Sequence, residues 1–327
     1  VKLEVLESFD AVGEATWQRL HAASAFRAPF TSWAWQTTWF GAFGEGRRLQ
    51  LLRLDDGVGD PAGVLPLYEE SPGVLALVGG VDVSDYLDVV CPAGTEGDVW
   101  TALLESRATS PVVWDLHAIR AASPTVDALR TLAPAHGLRV EQEVEERCPV
   151  LDLPATWEAY LAKLTGKHRH ELTRKIRRFE REVPGARVTS VASEDDVAAR
   201  MGDFLTLHRA SRVGKSRFMD ERMERFFRTS LGALARAGQV RLWFLERDTG
   251  AVATFICLEW PGCVGLYNSG FDPALASVAP GIVLLAHVIR DALDRRLPRF
   301  DFLRGEERYK YEFEPRPEDL LRLRVTP

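Results

Sequence analysis

Residues 2–8 (KLEVLES) alternate apolar and polar positions, as a half-buried strand does. Residues 15–24 and 31–43 follow with helical spacing, the second rich in tryptophan at Trp33, Trp35 and Trp39, which read as core or as cleft wall. Three apolar runs come next, LQLLRLDD, AGVLPLYEE and GVLALVGG, separated by turn residues at Asp55-Asp56-Gly57 and Ser71-Pro72-Gly73. They predict a meander of strands that ends at Asp85-Tyr86-Leu87-Asp88. A helix over about residues 98–106, a strand VVWDLHAI, another helix and LRVEQEVEE bring the chain to Cys148-Pro149-Val150.

The second half repeats this order. QVRLWFLERDTG, AVATFICLEW and CVGLYNSGFD are three consecutive strands, followed by a helix and by RFDFL. Overlaying the halves aligns Leu51-Leu52-Arg53-Leu54 with Leu242-Trp243-Phe244-Leu245, and Trp114-Asp115-Leu116 with Phe300-Asp301-Phe302, an offset of roughly 190 residues. The pattern predicts two copies of one α/β unit, of α+β character, each a mixed, mainly antiparallel sheet flanked by helices. The expected organisation is an N-terminal domain over 1–153, a helical connection over 154–185 and a C-terminal domain over 186–327.

The connection carries KHRHELTRKIRRFERE, with Leu172, Ile176 and Phe179 on one helical face and Lys167, His170, Arg174, Arg177 and Arg181 around the other. Eight lysines and arginines between Lys163 and Arg181 stand against Glu171 and Glu180, which reads either as a solvated face or as a site for phosphates. A strand ARVTSV, a helix opening at Ser193, the basic Gly-containing loop LHRASRVGKSRFMD and a helix MDERMERFFRTSLGALAR follow. The chain closes with DLLRLRV as a last strand in the second domain.

Chemistry concentrates in residues 265–311. A strand ends at Gly270-Phe271-Asp272, a loop closes at Pro280-Gly281, a helix runs over about 282–296, and a buried strand over 300–303 emerges into Arg304, Glu307, Arg308, Tyr309 and Lys310. A helix start bare of side chains beside such a cluster fits a ligand held at the carboxyl ends of strands. The backbone N–H groups from Ala279 through Gly281 and Ile282 to Val283 form the expected anion cradle, with Arg304, Lys310 and the basic helix in support. Asp301, Glu307, Asp272 and His208 are the candidate bases, and Tyr267 and Tyr309 the candidate proton donors. Asp301 reads equally as architecture, because Asp115 occupies the matching place in the other half.

Composition narrows the class. The 327 residues are 46% hydrophobic and 27% charged, ordinary for a folded protein, and the net charge of -6 gives the molecule as a whole no claim on nucleic acid. Cys91, Cys148, Cys257 and Cys263 are scattered without ligand spacing, which fits buried thiols in a reducing cytoplasm, and His168-Arg169-His170 is a poor metal pair on a helix, so no metal is expected. The first thirty residues hold no apolar h-region and no run of ~18 apolar residues exists, so neither a secretory signal nor a membrane span is expected.

The element order resembles that of the GNAT acyltransferases. Leu266-Tyr-Asn-Ser-Gly-Phe-Asp272, Pro280-Gly281 opening a helix, Phe300-Asp-Phe-Leu-Arg-Gly305 and Tyr309-Lys310 are similar to the acetyltransferases typified by the cellulose-biosynthesis protein CelD. The doubled plan also resembles the Fem-type peptidoglycan aminoacyl ligases. The familiar GNAT pyrophosphate loop, Gln/Arg-x-x-Gly-x-Gly/Ala, is absent, and Ser277-Val-Ala-Pro-Gly281 stands in its place. The resemblance implies tandem GNAT-like domains and transfer of an acyl group, acetyl above all, from acetyl-CoA or another acyl-CoA as co-substrate to the amine of a small or sugar-related acceptor. On that reading Ser277, Ala279, Gly281, Ile282 and Arg304 face the donor; Glu307, Tyr309, His208, Asp301 and Tyr267 serve the chemistry; and Lys310, Asp272, Asp85, Tyr86 and Arg174 contact the acceptor between the halves. The alternatives are a Fem-like ligase using aminoacyl-tRNA, which alone makes tRNA a partner, and a GNAT-like binding protein without turnover.

Overall fold

The computed structural model describes residues 2–106 and 112–327. Contacts divide the chain into two compact units, Val1–Arg147 with Glu318–Pro327, and Cys148–Pro317. The first contains β1 (Lys2–Leu6), α1 (Glu14–Ala23), α2 (Trp33–Phe43), β2 (Leu49–Asp55), β3 (Pro61–Ser71), β4 (Val74–Leu77), α3 (Glu96–Ser106), β5 (Val113–Arg120) and α4 (Pro124–Leu132). The strand β6 (Arg139–Asp152) leads out of it and α5 (Trp157–Lys163), α6 (Gly166–Glu182), β7 (Arg187–Val191), α7 (Glu194–Ser211), α8 (Val213–Phe218) and α9 (Glu221–Arg236) follow. Then come β8 (Val240–Arg247), β9 (Gly250–Trp260), β10 (Cys263–Phe271), α10 (Pro280–Asp294), β11 (Arg299–Asp301) and β12 (Arg316–Thr326).

Strand pairing is the same in both units. In the first the order is β1-β2-β3-β4-β5-β12, antiparallel except for the parallel pair β4–β5; in the second it is β7-β8-β9-β10-β11-β6, antiparallel except for β10–β11. The registers coincide as well. Leu51 pairs with Leu6 as Leu242 pairs with Val191, and Asp115 pairs with Ala76 as Asp301 pairs with Gly265. These are the positions that the sequence overlay aligns.

Several boundaries differ from the sequence reading. Residues 318–327, expected in the second domain, belong to the first unit, where Leu321, Leu323 and Val325 are buried and β12 pairs with β5. The helices of 154–185 are part of the second unit, because Leu172 and Phe179 join its core with Leu284, Ile289, Phe300 and Phe302. The helical connection there is two helices, interrupted at Leu164, whose ψ of 143° is extended, and restarted at Thr165, whose Oγ1 accepts the His168 N–H at 3.4 Å. The expected loop LHRASRVGKSRFMD is mostly helical: α7 runs through Ser211, and α8 follows one residue later. Between β10 and α10, Pro273–Val278 forms a 3-10 helix.

What positions the second unit's chemistry is the brevity of β11. Its parallel pairing with β10 ends at Gly265–Asp301, while β10 runs on to Phe271 beside β9. On the other side of β11 the ladder with β6 runs one rung further, the Phe302 N–H donating to the Pro149 carbonyl at 2.9 Å. The buried Asp301 carboxylate then accepts the Leu303 N–H at 2.8 Å, and Leu303 (φ 55°) and Gly305 (φ 105°) both enter the left-handed region. Lys310, 3% exposed, holds that turn: its Nζ donates to the carbonyls of Leu303 (3.3 Å), Arg304 (2.9 Å) and Gly305 (2.9 Å) and meets Glu307 at 2.9 Å. Its removal leaves those carbonyls without their donor. Lys310→Met should therefore cost about 2–4 kcal/mol, read as a lowered denaturant midpoint at unchanged slope.

A second cross-strand device lies in the first unit. His117 on β5 meets Glu145 of β6 through Nδ1 at 2.6 Å and Asp115 through Nε2 at 3.2 Å, and Arg322 of β12 pairs with Asp115 at 2.6 Å. Burial pushes the imidazole pKa down, but the Glu145 and Asp115 carboxylates outweigh it and hold it above 6.5. A raised folded pKa means that this contribution is complete below the unfolded value of 6.5 and is lost as pH rises through the folded value. The thermal midpoint of the native chain should fall as the pH rises above 6.5, and His117→Gln should be less stable at the acid end and lack that step.

Candidate functional site

A cavity of about 250 Å³ opens in the second unit, where β10 has lost β11 as a neighbour. One wall is the end of β10, Ser269-Gly270-Phe271, another the start of α10 from Ala279 to Ile282, and Glu307 and Tyr309 enter from the turn after β11. Arg212 and Lys215, at the junction of α7 and α8, complete it. The helix start is formed by Ala279 in the left-handed region (φ 51°) and by Pro280 at the first helical position, so no capping side chain covers it. Pro280 has no N–H, and those of Ile282 and Val283 donate to the Ala279 carbonyl at 3.0 and 3.2 Å, so among the described residues it is the Gly281 N–H that has no protein acceptor at this helix start.

The β10 wall is an open strand edge. The Asp272 N–H donates to the Val252 carbonyl of β9, so by alternation the backbone groups of Phe271 and Ser269 face away from β9. At Ser269 side chains satisfy them: its N–H donates to Asn268 Oδ1 at 3.0 Å, and its carbonyl accepts from Lys215 Nζ and from His208 Nδ1, the latter at 3.0 Å. No protein group among the described residues bonds the outward backbone of Phe271. Gly270 lets α7 close on this strand, since a Cβ there would lie 2.5 Å from the His208 nitrogen.

The titratable groups are tuned in different directions. Tyr309 is pushed well above the ordinary phenol value by burial and by the Glu307 charge, so it stays protonated at neutral pH. Burial also pushes the Glu307 pKa up, but the Lys310 ammonium outweighs it and the carboxyl lies below its ordinary value. Burial and the neighbouring Arg212 charge bring Lys215 down to about 8, against a smaller opposing pull from Glu307. His208 is taken down to about 4 by burial and by the charge of Lys215. Because the Ser269 carbonyl can only accept, the His208 Nδ1 carries the hydrogen, and Nε2 lies buried without a partner.

Of the residues singled out from sequence, Ala279, Gly281, Ile282, Glu307 and Tyr309 line this cavity together. The others lie elsewhere. His208 is behind the β10 wall, stacked on Phe204 at 5.3 Å; Tyr267 is the extra residue of a bulge in β10 and stacks on Phe227 at 5.8 Å. Asp301 is buried at the end of β11 and Lys310 in the turn after it, where Lys310 has its ammonium committed to carbonyls although an acceptor contact was expected. Asp272 caps the 3-10 helix by accepting the Ala274 N–H at 3.0 Å, and Ser277 is exposed. Arg304 contributes its carbonyl to Lys310. Arg174 is exposed on α6 and paired with Glu171 at 2.7 Å. Asp85 and Tyr86 are buried in the first unit, Tyr86 against Phe26 at 5.1 Å. Sequence reasoning took the segment with Arg212 and Lys215 as a substrate-facing lip without naming either residue, and it missed Ser269 and Phe271.

The first unit has a cavity at the same point of its topology, of about 70 Å³, with Asp88, Arg120 and Ser123 in its walls. There the helix start is not bare. Glu96, 4% exposed, is the first residue of α3 and accepts the Gly94 N–H at 2.8 Å.

Residues 166–311 match the sequence profile of the acetyltransferase (GNAT) domain, so the match spans the whole cavity wall from α7 to Tyr309. No curated protein matches the chain by sequence. Among solved structures, a conserved protein of unknown function from Bacteroides thetaiotaomicron is 13% identical with a TM-score of 0.64, over 100% of each chain. FemX is 10% identical with a TM-score of 0.62, over 98% of this chain and 96% of its own. The C-terminal domain of a putative lysylphosphatidylglycerol synthetase from Agrobacterium fabrum is 12% identical with a TM-score of 0.57, over 85% and 84%. At such identities the likeness is one of fold, and the chain is an α+β protein whose residues 166–311 match the acetyltransferase (GNAT) domain.

Proposed function

We propose that the second unit is an acyltransferase that takes an acyl group from a coenzyme A thioester, acetyl-CoA in the first place, and passes it to the amine of a small acceptor. The observation that carries this reading is the pairing, in one cavity, of an open strand edge at Phe271 with a bare helix start at Gly281. An extended amide-bearing arm adds to such an edge as a strand would, and a pyrophosphate suits such a helix end. The acetyltransferase match over residues 166–311 supports it.

The reaction needs three things from the chain: an acceptor without its proton, a place for the charge that develops on the carbonyl oxygen, and a proton for the departing sulfur. Deprotonating an alkyl ammonium of pKa about 10.4 at pH 7 costs roughly 4–5 kcal/mol, and on this reading Glu307, which lines the cavity and pairs with Lys310, receives that proton. The Phe271 N–H is a fixed donor for the oxyanion. Tyr309, held as a phenol, supplies the proton to the thiolate.

A second reading, a Fem-like ligase using aminoacyl-tRNA, draws on α6. Lys167, Arg169 and Arg177 are exposed there, whereas Lys175 is paired with Glu312, Arg178 with Glu182 and His168 with Glu314. It requires tRNA binding that weakens steeply with salt, so binding that is absent or indifferent to salt removes it.

Titration calorimetry with coenzyme A tests the first reading. Binding should be seen in the native chain and fall at least about tenfold in Gly281→Asp, which sets a carboxylate at the helix start much as Glu96 does in the first unit. A side chain at position 281 meets nothing within 4 Å, so the variant should fold. No heat with the native chain would sink the donor assignment. Tyr309→Phe should lower kcat about a hundredfold with little change in KM for the donor, and an unchanged kcat would remove Tyr309 as the acid.

A further inference from the structure

Lys215 is unlike the other cations of this chain. Six of the 41 lysine and arginine residues are lysines, and Lys2, Lys163 and Lys167 are exposed while Lys175 and Lys310 face carboxylates. Lys215 lines the acyl-donor cavity, and its Nζ contacts are both to one residue, the carbonyl and the Oγ of Ser269, the second at 3.0 Å. Among the described residues no carboxylate lies within ion-pair distance of it. Around it stand Arg212 from the α7–α8 junction, Glu307 and Tyr309 from the turn after β11, and His208 from α7, which shares the Ser269 carbonyl. Glu307 is itself paired to Lys310.

Two contacts on Ser269 use two N–H bonds. An ammonium has a third, and a neutral amine has in its place a lone pair directed away from Ser269. Burial without a paired carboxylate, beside Arg212, favours the neutral form and brings the group down to about 8. An arginine could not do this, because its guanidinium keeps its proton at any ordinary pH. Any thioester that enters this cavity thus meets an amine already inside it.

We propose that Lys215 is an acyl-modification site: with an acyl thioester in the cavity and no external amine, its Nζ takes the acyl group. This rests on the coenzyme A thioester reading above. The neutral Nζ attacks the thioester carbonyl carbon, the C–N bond forms as the C–S bond breaks, and the proton released by the nitrogen goes to the departing sulfur, with the Tyr309 hydroxyl as the relay. The products are an N-ε-acyl-lysine and a free thiol, and no oxidant or reductant is involved. The acylated nitrogen has no charge and a single N–H, so at most one Ser269 contact survives, and the acyl group occupies part of the roughly 250 Å³ of the cavity. The modified chain is a self-blocked state.

Incubating the whole chain with acetyl-CoA and following intact mass and peptide maps tests this. The expected result is one acetyl group per chain, on Lys215, at a rate that rises with pH and levels off above about 8 and that excess coenzyme A slows. Lys215→Arg, checked for fold by circular dichroism, should gain none, and the acetylated native chain should bind coenzyme A at least about tenfold more weakly. Acetylation spread over the exposed Lys163 and Lys167 at a rate indifferent to coenzyme A overturns the proposal. So does calorimetric binding of coenzyme A with no mass gain at Lys215, which leaves the donor reading standing. Absence of binding overturns both.

Discussion

A parallel strand pair that stops early is the constraint from which the second unit's chemistry follows. Had β11 continued beside β10, the outward N–H and C=O groups of Ser269 and Phe271 would be sheet ladder, and no cavity would exist. The strand ends because Asp301 and Lys310 stabilise a left-handed turn at Leu303 and Gly305 that no strand accommodates. The most heavily buried charges of this region are thus architectural. They hold the gap open, and the groups that face the gap are the less buried ones they present, Glu307 and Tyr309.

The twin unit shows what the same topology does without those features. It too has a parallel pair, a helix after the meander and a small cavity beside them. But Glu96 sits at its helix start, where a second anion would be repelled, and the cavity is less than a third of the volume. Duplication of the plan is therefore no duplication of the chemistry. The difference lies in a few residues at one helix end and one turn, which is why Gly281→Asp is an informative substitution.

The sheet was legible in the sequence because each strand announces itself locally, by alternation and turn residues, and because the two halves corroborate each other at Leu51 with Leu242 and at Asp115 with Asp301. The exchange of β12 into the first unit was not, since a strand's partner is a non-local choice that its own pattern leaves open. Within the site, Gly281, Glu307 and Tyr309 were readable as a bare helix start and a polar cluster after a buried strand. Lys310 was misjudged because composition cannot show that three carbonyls turn toward one ammonium. Lys215 was hidden in what looked like a basic loop. Only the packing of α7 against Gly270 brings that segment over the end of β10.

That packing also explains the state of His208. Two donors, one from the end of α7 and one from α8, converge on a single carbonyl, and the ammonium is the stronger. The imidazole next to it is left neutral, with its second nitrogen buried and unpaired. A buried group with one unmet hydrogen bond is worth retaining when its other bond matters, and here that bond helps fix the carbonyl on which Lys215 depends. His208 thus reaches the cavity wall through the Ser269 carbonyl, and Lys215 is the group on that carbonyl that itself faces the cavity.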